Sequence, residues 1–324
     1  MRILVTGGAG YVGSHAVIDL VEAGHDVTVV DNLSTGHADA VCGARLAVGD
    51  ITEKESLEAI VARHGPFEAA MHFAALTQVG ESMQHPARYF RVNVAGTLNL
   101  LEALVRNGTR SFVFSSSAAV YGEPVRIPIP EDHPLNPRNP YGESKRMVEA
   151  MLTWFQRAHG VRWVSLRYFN AAGADPAGRT GERHDPETHL IPAVLLAAAG
   201  RRSAVEVFGT DWPTPDGTCI RDFIHVSDLA QAHRLALEYL AGGGESAAFN
   251  LGSGHGWSVR EVLETCRRVT GRDFEVRSAP RRPGDPAVLV ASSARAREVL
   301  GWRPRFVTLD EMVQTAWEWH RRGY

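Results

Sequence analysis

The sequence has few cysteines, little charge imbalance and no long apolar run, and each shortage argues against a class of protein. The three cysteines, Cys42, Cys219 and Cys266, are far apart and form no CxxC pair, which indicates reduced thiols in a reducing compartment. The 34 basic and 37 acidic residues nearly balance, so the composition does not suggest binding to nucleic acid or to an acidic membrane surface. We therefore expect a small-molecule partner.

Signals for export and for membrane insertion are also missing from the pattern. An apolar strand begins at Ile3, which leaves no room for a signal peptide, and no uncharged apolar run approaches the length of a membrane span. We therefore expect a cytoplasmic protein with no membrane partner. The 324 residues, 44% of them hydrophobic, are enough for a sizeable core in one large domain or two ordinary ones.

The two halves of the chain differ in texture. The first half alternates β-rich runs with amphipathic helices, which is typical of βαβ units and a parallel sheet. We predict strands at 3–5, 27–30, 45–48, 69–73 and 111–115, and helices at 13–22, 53–64, 89–107 and 141–159. The second half has glycine and proline clusters at 173–181, 210–217 and 279–286, with further elements at 163–167, 227–240, 259–269 and 309–320.

A glycine-rich turn follows the first predicted strand. Gly8, Gly10 and Gly13 fit the dinucleotide fingerprint, in which one glycine makes the turn, one lets a pyrophosphate approach the backbone and one permits close packing of helix on strand. The phosphates would lie at the N-terminus of the next helix. The pattern predicts an α/β fold with a Rossmann-type doubly wound parallel sheet and a smaller mixed α/β C-terminal lobe. We expect a cofactor domain at 1–170, with 211–240 returning to it, and a substrate lobe at 171–324.

Two aspartates follow the second and third predicted strands. Asp31 lies near the distance from Gly13 at which a carboxylate reaches the adenine ribose. A carboxylate there accepts hydrogen bonds from both ribose hydroxyls and repels a 2′-phosphate, which selects NAD over NADP. Asp31 is alternatively the cap of a turn. Asp50 can hold the adenine amino group or cap the helix that begins near Thr52.

Hydroxyl groups end the fifth predicted strand, and a tyrosine and a lysine begin a later helix. Ser115, Ser116 and Ser117 would face the ligand cleft beyond the carboxyl end of the sheet. Tyr141 and Lys145 are spaced i and i+4, so they share one helix face. An ammonium beside a phenol favours the phenolate and lowers the tyrosine pKa. This pair is therefore a candidate general base with its activator.

Taken together, the motifs resemble the extended short-chain dehydrogenase/reductases, and among them the UDP-glucose (UDP-galactose) 4-epimerases. They are TGGAGYVGSH, DNLSTG, GDI, HFAA, SSSAAVYG, YGESK, RYFNAAG and RDFIHVSDLA. The resemblance implies a catalytic set of Ser117, Tyr141 and Lys145. It implies NAD contacts from Gly7, Gly10, Tyr11, Val12, Gly13, Asp31, Asn32, Ser34, Asp50, Ile51, Phe73, Ala74, Ala75, Asn93, Ser115, Tyr141, Lys145 and Tyr168.

The resemblance also implies a UDP-sugar substrate and a homodimer that pairs through two helices of each subunit. Its implied sugar-nucleotide contacts are Asn170, Leu190, Phe208, Arg221, Arg282 and Asp285. Guanidinium groups suit a diphosphate because their fork geometry matches phosphate oxygens. The resemblance also implies that Ser117 lies near the sugar. Three more residues expected there depart from the common epimerase pattern: Thr77 where lysine is frequent, His189 where asparagine is frequent, and Leu289 where a bulky tyrosine is frequent.

Other enzymes share this scaffold, and one polar loop contains possible metal ligands. A 4,6-dehydratase needs an added acid and base after the strand, where Ser117 is followed by alanines. A UDP-uronate or UDP-N-acetylhexosamine 4-epimerase would use the same chemistry, with Leu289 admitting an N-acetyl group. An NAD-binding regulatory protein would not need the intact catalytic set.

The polar loop around His184, Asp185, Glu187 and His189 lacks HExxH spacing, so no metal is predicted there.

Overall fold

The computed structural model describes residues 1–282 and 284–323. Its strands are β1 (Arg2–Thr6), β2 (Asp26–Asp31), β3 (Arg45–Val48), β4 (Ala69–His72), β5 (Ser111–Ser117), β6 (Arg162–Tyr168), β7 (Asn170–Ala172), β8 (Val205–Phe208), β9 (Ile220–Arg221), β10 (Phe223–His225), β11 (Ala247–Leu251), β12 (Trp257–Ser258), β13 (Val276–Ala279) and β14 (Val288–Leu289). Its helices are α1 (Tyr11–Glu22), α2 (Lys54–His64), α3 (Val79–Gln84), α4 (Pro86–Tyr89), α5 (Thr97–Arg106), α6 (Pro140–His159), α7 (Leu190–Ala198), α8 (Val226–Ala241), α9 (Val259–Thr270), α10 (Ala294–Val299) and α11 (Leu309–His320). Among the residues described, no helix is both long and apolar enough to cross a membrane.

A parallel seven-stranded sheet forms the larger part of the molecule. Its strand order is β11-β6-β5-β4-β1-β2-β3, and each neighbouring pair is parallel. The chain moves outward from β1 through β2 to β3, then crosses to β4 and moves outward on the other side. This reversal beside β1 is the topological switch point of a doubly wound sheet. The predicted fold class is confirmed.

Alternating residues of β1 belong to the cores on the two faces of the sheet. Ile3 and Val5 pack in a core with α1 and α8, whereas Leu4 packs in a second core with α2, α5 and α6. Successive side chains of a strand point to opposite faces, so an unbroken apolar run is required where helices cover both. This is why the first strand reads as a continuous hydrophobic stretch.

A smaller lobe has its own core of α7, α9 and α11 packed against β8, and β8 pairs with the more exposed strand β13. Helices α9 and α11 are amphipathic, and both begin with a capping box. In each box a hydroxyl accepts the N–H of a glutamate in the first turn, whose carboxylate accepts the N–H of the capping residue. The short sheet β12-β9-β14 adds a second surface to the lobe.

The chain returns from the smaller lobe to the large sheet. Helix α8 packs against α1, and β11 forms the sheet edge beside β6. In contrast, β9 pairs with β12 and β14 in a separate sheet. We therefore propose that the returning segment is 226–251 rather than 211–240, and that 294–302 also returns, because Ala296, Leu300 and Trp302 pack in the core of the large sheet. The other described residues after 171 would form the smaller lobe.

Two regions differ from the sequence expectations. The predicted helix at 89–107 consists of α4, a π-helical segment Phe90–Gly96 and α5, in direct succession. The predicted strand 111–115 extends to Ser117, so the three serines belong to β5 and not to a turn after it. Neither β11 nor α7 was predicted from the sequence. Strand β11 is a five-residue run among turns and α7 is apolar on nearly every side, so neither shows a clear hydrophobic period.

Candidate active site

The glycine loop lies at the switch point, between the carboxyl ends of β1 and β4. Gly7 has a φ of 73°, and a Cβ there would lie 2.4 Å from the backbone nitrogen of Ala74. A Cβ on Gly13 would lie 2.1 Å from the carbonyl oxygen of Gly7. Helix α1 begins after Gly10 without a side-chain cap, so its first N–H groups are available to an anion. The loop therefore fits the pyrophosphate of a dinucleotide.

Asp31 supports the glycine loop from the end of β2. Its carboxylate accepts the N–H of Ala9 at 3.0 Å and the N–H of Leu33 at 2.8 Å. Asp31 therefore caps the turn after β2, as the alternative interpretation predicts. Its contact with the adenine ribose stays a prediction. Both carboxylate oxygens have further lone pairs, so capping does not prevent binding of a ribose.

Asp50 and Asn32 form a second polar pair at this edge of the sheet. The Asn32 amide donates to Asp50 at 2.8 Å, and the backbone and hydroxyl of Thr52 both donate to the other oxygen of the carboxylate. Burial raises the pKa of Asp50, but these hydrogen bonds outweigh burial and hold it below its usual value. The Ser34 N–H donates to Asn32, which gathers these predicted cofactor residues into one hydrogen-bonded turn.

Most of the remaining predicted cofactor residues lie on or directly after β4, β5 and β6. The N–H groups of Phe73 and Ala74 donate to the carbonyl of Thr6, and the hydroxyls of Ser115 and Tyr168 are hydrogen-bonded to each other. Half-buried Ala75 follows Ala74, Ile51 is buried beside the Asp50 turn, and Val12 packs on the core under α1.

The side chain of Asn93 is used within the protein. Its amide oxygen accepts the N–H of Leu76, and its nitrogen donates to the carbonyl of Leu76 and to the hydroxyl of Ser144. Asn93 is 2% exposed, so this residue orders the segment after β4. Its direct contact with a cofactor stays a prediction.

The predicted catalytic residues lie together, at the end of β5 and in the first turns of α6. The side chain of Asn139 caps α6 by accepting the N–H of Gly142 at 2.8 Å. Tyr141 hydrogen-bonds to Ser117, while the Lys145 ammonium donates to the carbonyl of Ser115 at 2.9 Å. The same ammonium lies 5.9 Å from the centre of the Tyr141 ring. The i, i+4 pair therefore shares one face, directed at the strand end.

The sequence predicts that Lys145 lowers the pKa of Tyr141. This prediction is wrong for the protein without its cofactor. Burial raises the pKa of Tyr141 above its usual value, and only the hydrogen bond with Ser117 opposes this effect. Burial also lowers the pKa of Lys145 to about 7, although Glu149 raises it. The enclosed site thus disfavours charge on both groups, which the sequence spacing did not reveal.

A buried ion pair supports this site, and the sequence analysis missed it. Glu149 and Arg167 form a bidentate pair at 2.6 and 3.0 Å, and each side chain is 7% exposed. Ser116 donates to the same carboxylate at 2.6 Å, and Arg167 donates to the hydroxyl of Tyr121 at 3.0 Å. Glu149 lies four residues after Lys145, so its spacing on the same helix face was a usable signal.

Most of the predicted sugar-nucleotide residues form a second group in the smaller lobe. Strand β14 pairs with β9 and sets Leu289 opposite Arg221. The Arg221 side chain is 13% exposed, and its guanidinium lies 3.7 Å from Asp285. The Arg282 guanidinium lies 3.8 Å from the centre of the Phe208 ring. The arrangement suits a nucleotide, with cations for the phosphates and an aromatic ring beside them.

Four other predicted substrate residues are dispersed. Asn170 donates to the carbonyl of Asp222, Leu190 begins α7, and Thr77 is exposed after β4. The Nδ1 atom of His189 lies 2.7 Å from Glu182 and faces no member of the arginine group among the contacts described.

A segment of the smaller lobe crosses the cofactor loop, and we call residues 173–184 the strap. The Tyr11 hydroxyl donates to the carbonyl of Gly173 at 2.7 Å, and the hydroxyls of Ser14 and Thr180 lie 3.2 Å apart. Two ion pairs extend this contact: Arg179 with Glu22 and Arg183 with Asp39. The strap therefore fastens the smaller lobe to both ends of α1 and to the turn after β2.

The geometry combines a dinucleotide loop, a tyrosine and lysine at a strand end, and paired arginines for a diphosphate. The sequence pattern of the NAD dependent epimerase/dehydratase family matches residues 3–252. The chain belongs to this family. The resemblance drawn from its motifs is thereby confirmed.

The chain is similar over its whole length to proteins of this family. The UDP-glucose 4-epimerase of Halalkalibacterium halodurans is 53% identical over 321 residues, covering 99% of this chain and 96% of that protein. The structure of UDP-glucose 4-epimerase from Brucella ovis in complex with NAD is 49% identical, with a TM-score of 0.95 and coverage of 99% and 98%. The UDP-Glc/GlcNAc 4-epimerase of Campylobacter jejuni is 41% identical, with a TM-score of 0.86 and coverage of 99% of both chains.

Proposed function

We propose that this protein is an NAD-dependent UDP-glucose 4-epimerase that interconverts UDP-glucose and UDP-galactose. The observation that carries the proposal is the placement of Ser117, Tyr141 and Lys145 at the strand end beside the glycine loop, in a chain similar throughout to UDP-glucose 4-epimerases. The uronate and N-acetylhexosamine alternatives are not favoured over this function.

Tyr141 is the general base of the proposed reaction. Its phenolate removes the proton from the sugar O4, and the hydrogen bond with Ser117 holds that proton in line. A bound NAD would supply the hydride acceptor for C4 and the donor that returns the hydride, and its positive charge would favour a phenolate. Lys145 orients the strand end through the Ser115 carbonyl. The sugar passes through a 4-keto form.

Inversion at C4 limits how firmly the protein can hold the sugar. The keto sugar must turn over before the hydride returns to its opposite face, so binding energy must come from the nucleotide, which does not react. Arg221 and Arg282 are suitable for the diphosphate, and the Phe208 ring lies against Arg282. We propose that these three residues, with Asn170, Leu190 and Asp285, anchor the UDP portion.

The function is tested by incubating the purified protein with each UDP-sugar and resolving the products. We expect NAD to copurify, UDP-glucose and UDP-galactose to interconvert, and no net NADH to accumulate. Failure to interconvert any UDP-hexose would overturn the epimerase proposal. Loss of water or carbon dioxide would replace it with a dehydratase or a decarboxylase.

The side chain of Leu289 sets the room available around the sugar. It packs against the cluster that follows the catalytic serine, which contains Ala118, Val120 and Tyr121. Replacing Leu289 with tyrosine adds bulk that an N-acetyl group must share, and such crowding typically costs about 1–3 kcal/mol. In Leu289→Tyr we expect the ratio of kcat/KM for UDP-N-acetylglucosamine to that for UDP-glucose to fall roughly tenfold or more.

The matched control for this prediction is Leu289→Met, which nearly conserves volume and should leave the ratio unchanged. Both variants are compared by product analysis with the two substrates. An unchanged ratio in Leu289→Tyr would show that this position does not border the sugar.

We further propose a homodimer that acts in the cytoplasm. Large apolar side chains are exposed on the two helices expected to pair: Leu98 on α5, and Met147 and Trp154 on α6. Trp154 is 65% exposed. We expect Trp154→Glu to convert the dimer to monomer in light scattering after gel filtration, while Val276→Glu, on a strand of the smaller lobe, should not. A monomeric wild-type protein would contradict the dimer.

A further inference from the structure

A compact group of ionisable side chains lies where the strap meets α7. Its ligand atoms, one from each residue, all lie within 4.8 Å of one another. We propose that these two carboxylates and two imidazoles bind one divalent transition-metal ion of the zinc type: Glu182, His184, Glu187 and His189. The proposal does not rest on the proposed epimerase function, because none of the four residues belongs to the catalytic set. His189, which was predicted to lie near the sugar, contacts Glu182 instead.

The distances suit a single central ion. The Nδ1 atom of His189 lies 2.7 Å from Glu182 and 3.2 Å from Glu187. The Nδ1 atom of His184 lies 3.0 and 3.8 Å from the same two carboxylates. Ligands at zinc distances in a tetrahedron are roughly 3.4 Å apart, so each of these four carboxylate–imidazole pairs needs to move by less than about 1 Å. No two ligand atoms of the group are more than 4.8 Å apart.

The imidazole orientations agree with this geometry. Both histidines direct the same ring nitrogen, Nδ1, at the carboxylates. Their rings are 5.1 Å apart and inclined by 52°, so they are not stacked. Two rings that converge on one point without stacking present two nitrogen lone pairs to an ion between the carboxylates.

Charge and burial point in the same direction. The side chains of Glu182 and Glu187 are each 4% exposed, and carboxylates so enclosed require a compensating charge. A divalent cation with two neutral imidazoles balances both carboxylates at once.

The donor set indicates the class of ion. Imidazole nitrogen suits zinc, copper, iron and nickel, whereas calcium and magnesium prefer all-oxygen ligands. With four protein ligands the site would be closed, which is typical of structural rather than catalytic zinc. An ion here would join the strap to His189, the N-cap residue of α7, beside Tyr11, whose ring lies 6.5 Å from that of His184.

The proposed metal site differs from the expectation, based on the sequence, that no metal binds. That expectation considered His184, Asp185, Glu187 and His189 and took the loop as solvated. The structure brings in buried Glu182, while Asp185 is exposed. The ligand spacing follows the path of a loop and not a helix, so no standard spacing could have indicated it.

The test uses the full-length protein without an affinity tag, with its cofactor bound. After chelation and dialysis, Zn²⁺ is added, and bound metal is measured by mass spectrometry and by competition with a chromogenic chelator. We expect one zinc per chain. The double variant His184→Ala/His189→Ala should bind at least a hundredfold more weakly, and Glu187→Gln at least tenfold more weakly. The control His85→Ala removes an exposed imidazole elsewhere and should bind like wild type.

Two results would overturn the proposal. One is wild-type binding no tighter than that of the double variant. The other is an anomalous-scattering map from zinc-soaked wild-type crystals without a peak between Nδ1 of His184 and Nδ1 of His189. The map needs no substitution, so it decides the matter even if a variant folds poorly. Epimerase activity is measured separately, and its presence or absence does not bear on the metal count.

Discussion

Replacing Tyr141 with phenylalanine should lower kcat by roughly 10²- to 10⁴-fold, the usual contribution of a positioned general base. KM for the UDP-sugar should change little, because the proposed nucleotide contacts, Arg221 and Arg282, lie in the other lobe and such binding is not specific to the transition state. The measurement is steady-state kinetics of UDP-galactose conversion, with bound NAD quantified in each preparation.

The control for Tyr141→Phe is Tyr239→Phe, which removes the hydroxyl of a tyrosine that packs edge-on against Phe249. This control should retain full activity. A Tyr141→Phe enzyme with kcat near that of wild type would remove the proposed general base, and Ser117 would then have to be tested as the group that accepts the O4 proton.

Replacing Glu149 with glutamine should destabilise the protein by about 3–5 kcal/mol, because Arg167 would be left as a buried, uncompensated charge. The arginine, Ser116 and the hydroxyl of Tyr121 form one network around this pair. The measurement is the shift in the midpoint of denaturant unfolding, at saturating NAD for every variant so that cofactor binding contributes equally.

The same helix provides the matched control for this substitution. Glu143 pairs with Arg146, but these side chains are 33% and 42% exposed, and a solvated pair contributes only about 0–1 kcal/mol. Glu143→Gln should therefore change the midpoint little. Equal shifts in Glu143→Gln and Glu149→Gln would mean that burial does not distinguish the two pairs. The double variant Glu149→Leu/Arg167→Met should recover much of the loss.

The parallel sheet could be predicted from the sequence because its cause is local. Strands covered on both faces are continuous apolar runs, as at Ile3–Val5, and the glycines of the first turn are needed where backbone approaches backbone within a few ångströms. The i, i+4 spacing of Tyr141 and Lys145 likewise predicts from the sequence that the two side chains share one helix face.

Properties that depend on burial or on the path of loops could not be predicted in this way. The direction of the Tyr141 pKa follows from enclosure of the phenol, which spacing does not report. The grouping of Glu182 with His189 depends on how the loop before α7 folds back. The return of β11 to the sheet edge depends on a pairing with β6 that is distant in sequence.

The strap has a consequence for how the protein acquires its cofactor. Its hydrogen bonds and ion pairs join the smaller lobe to α1, directly beside the glycine loop. We expect a dinucleotide held in that loop to exchange slowly with free NAD, and to exchange faster as these contacts open and the lobes separate. We therefore expect the dinucleotide to behave as an internal part of the folded chain, acquired once during its assembly, and not as a coenzyme drawn from solution in each catalytic cycle.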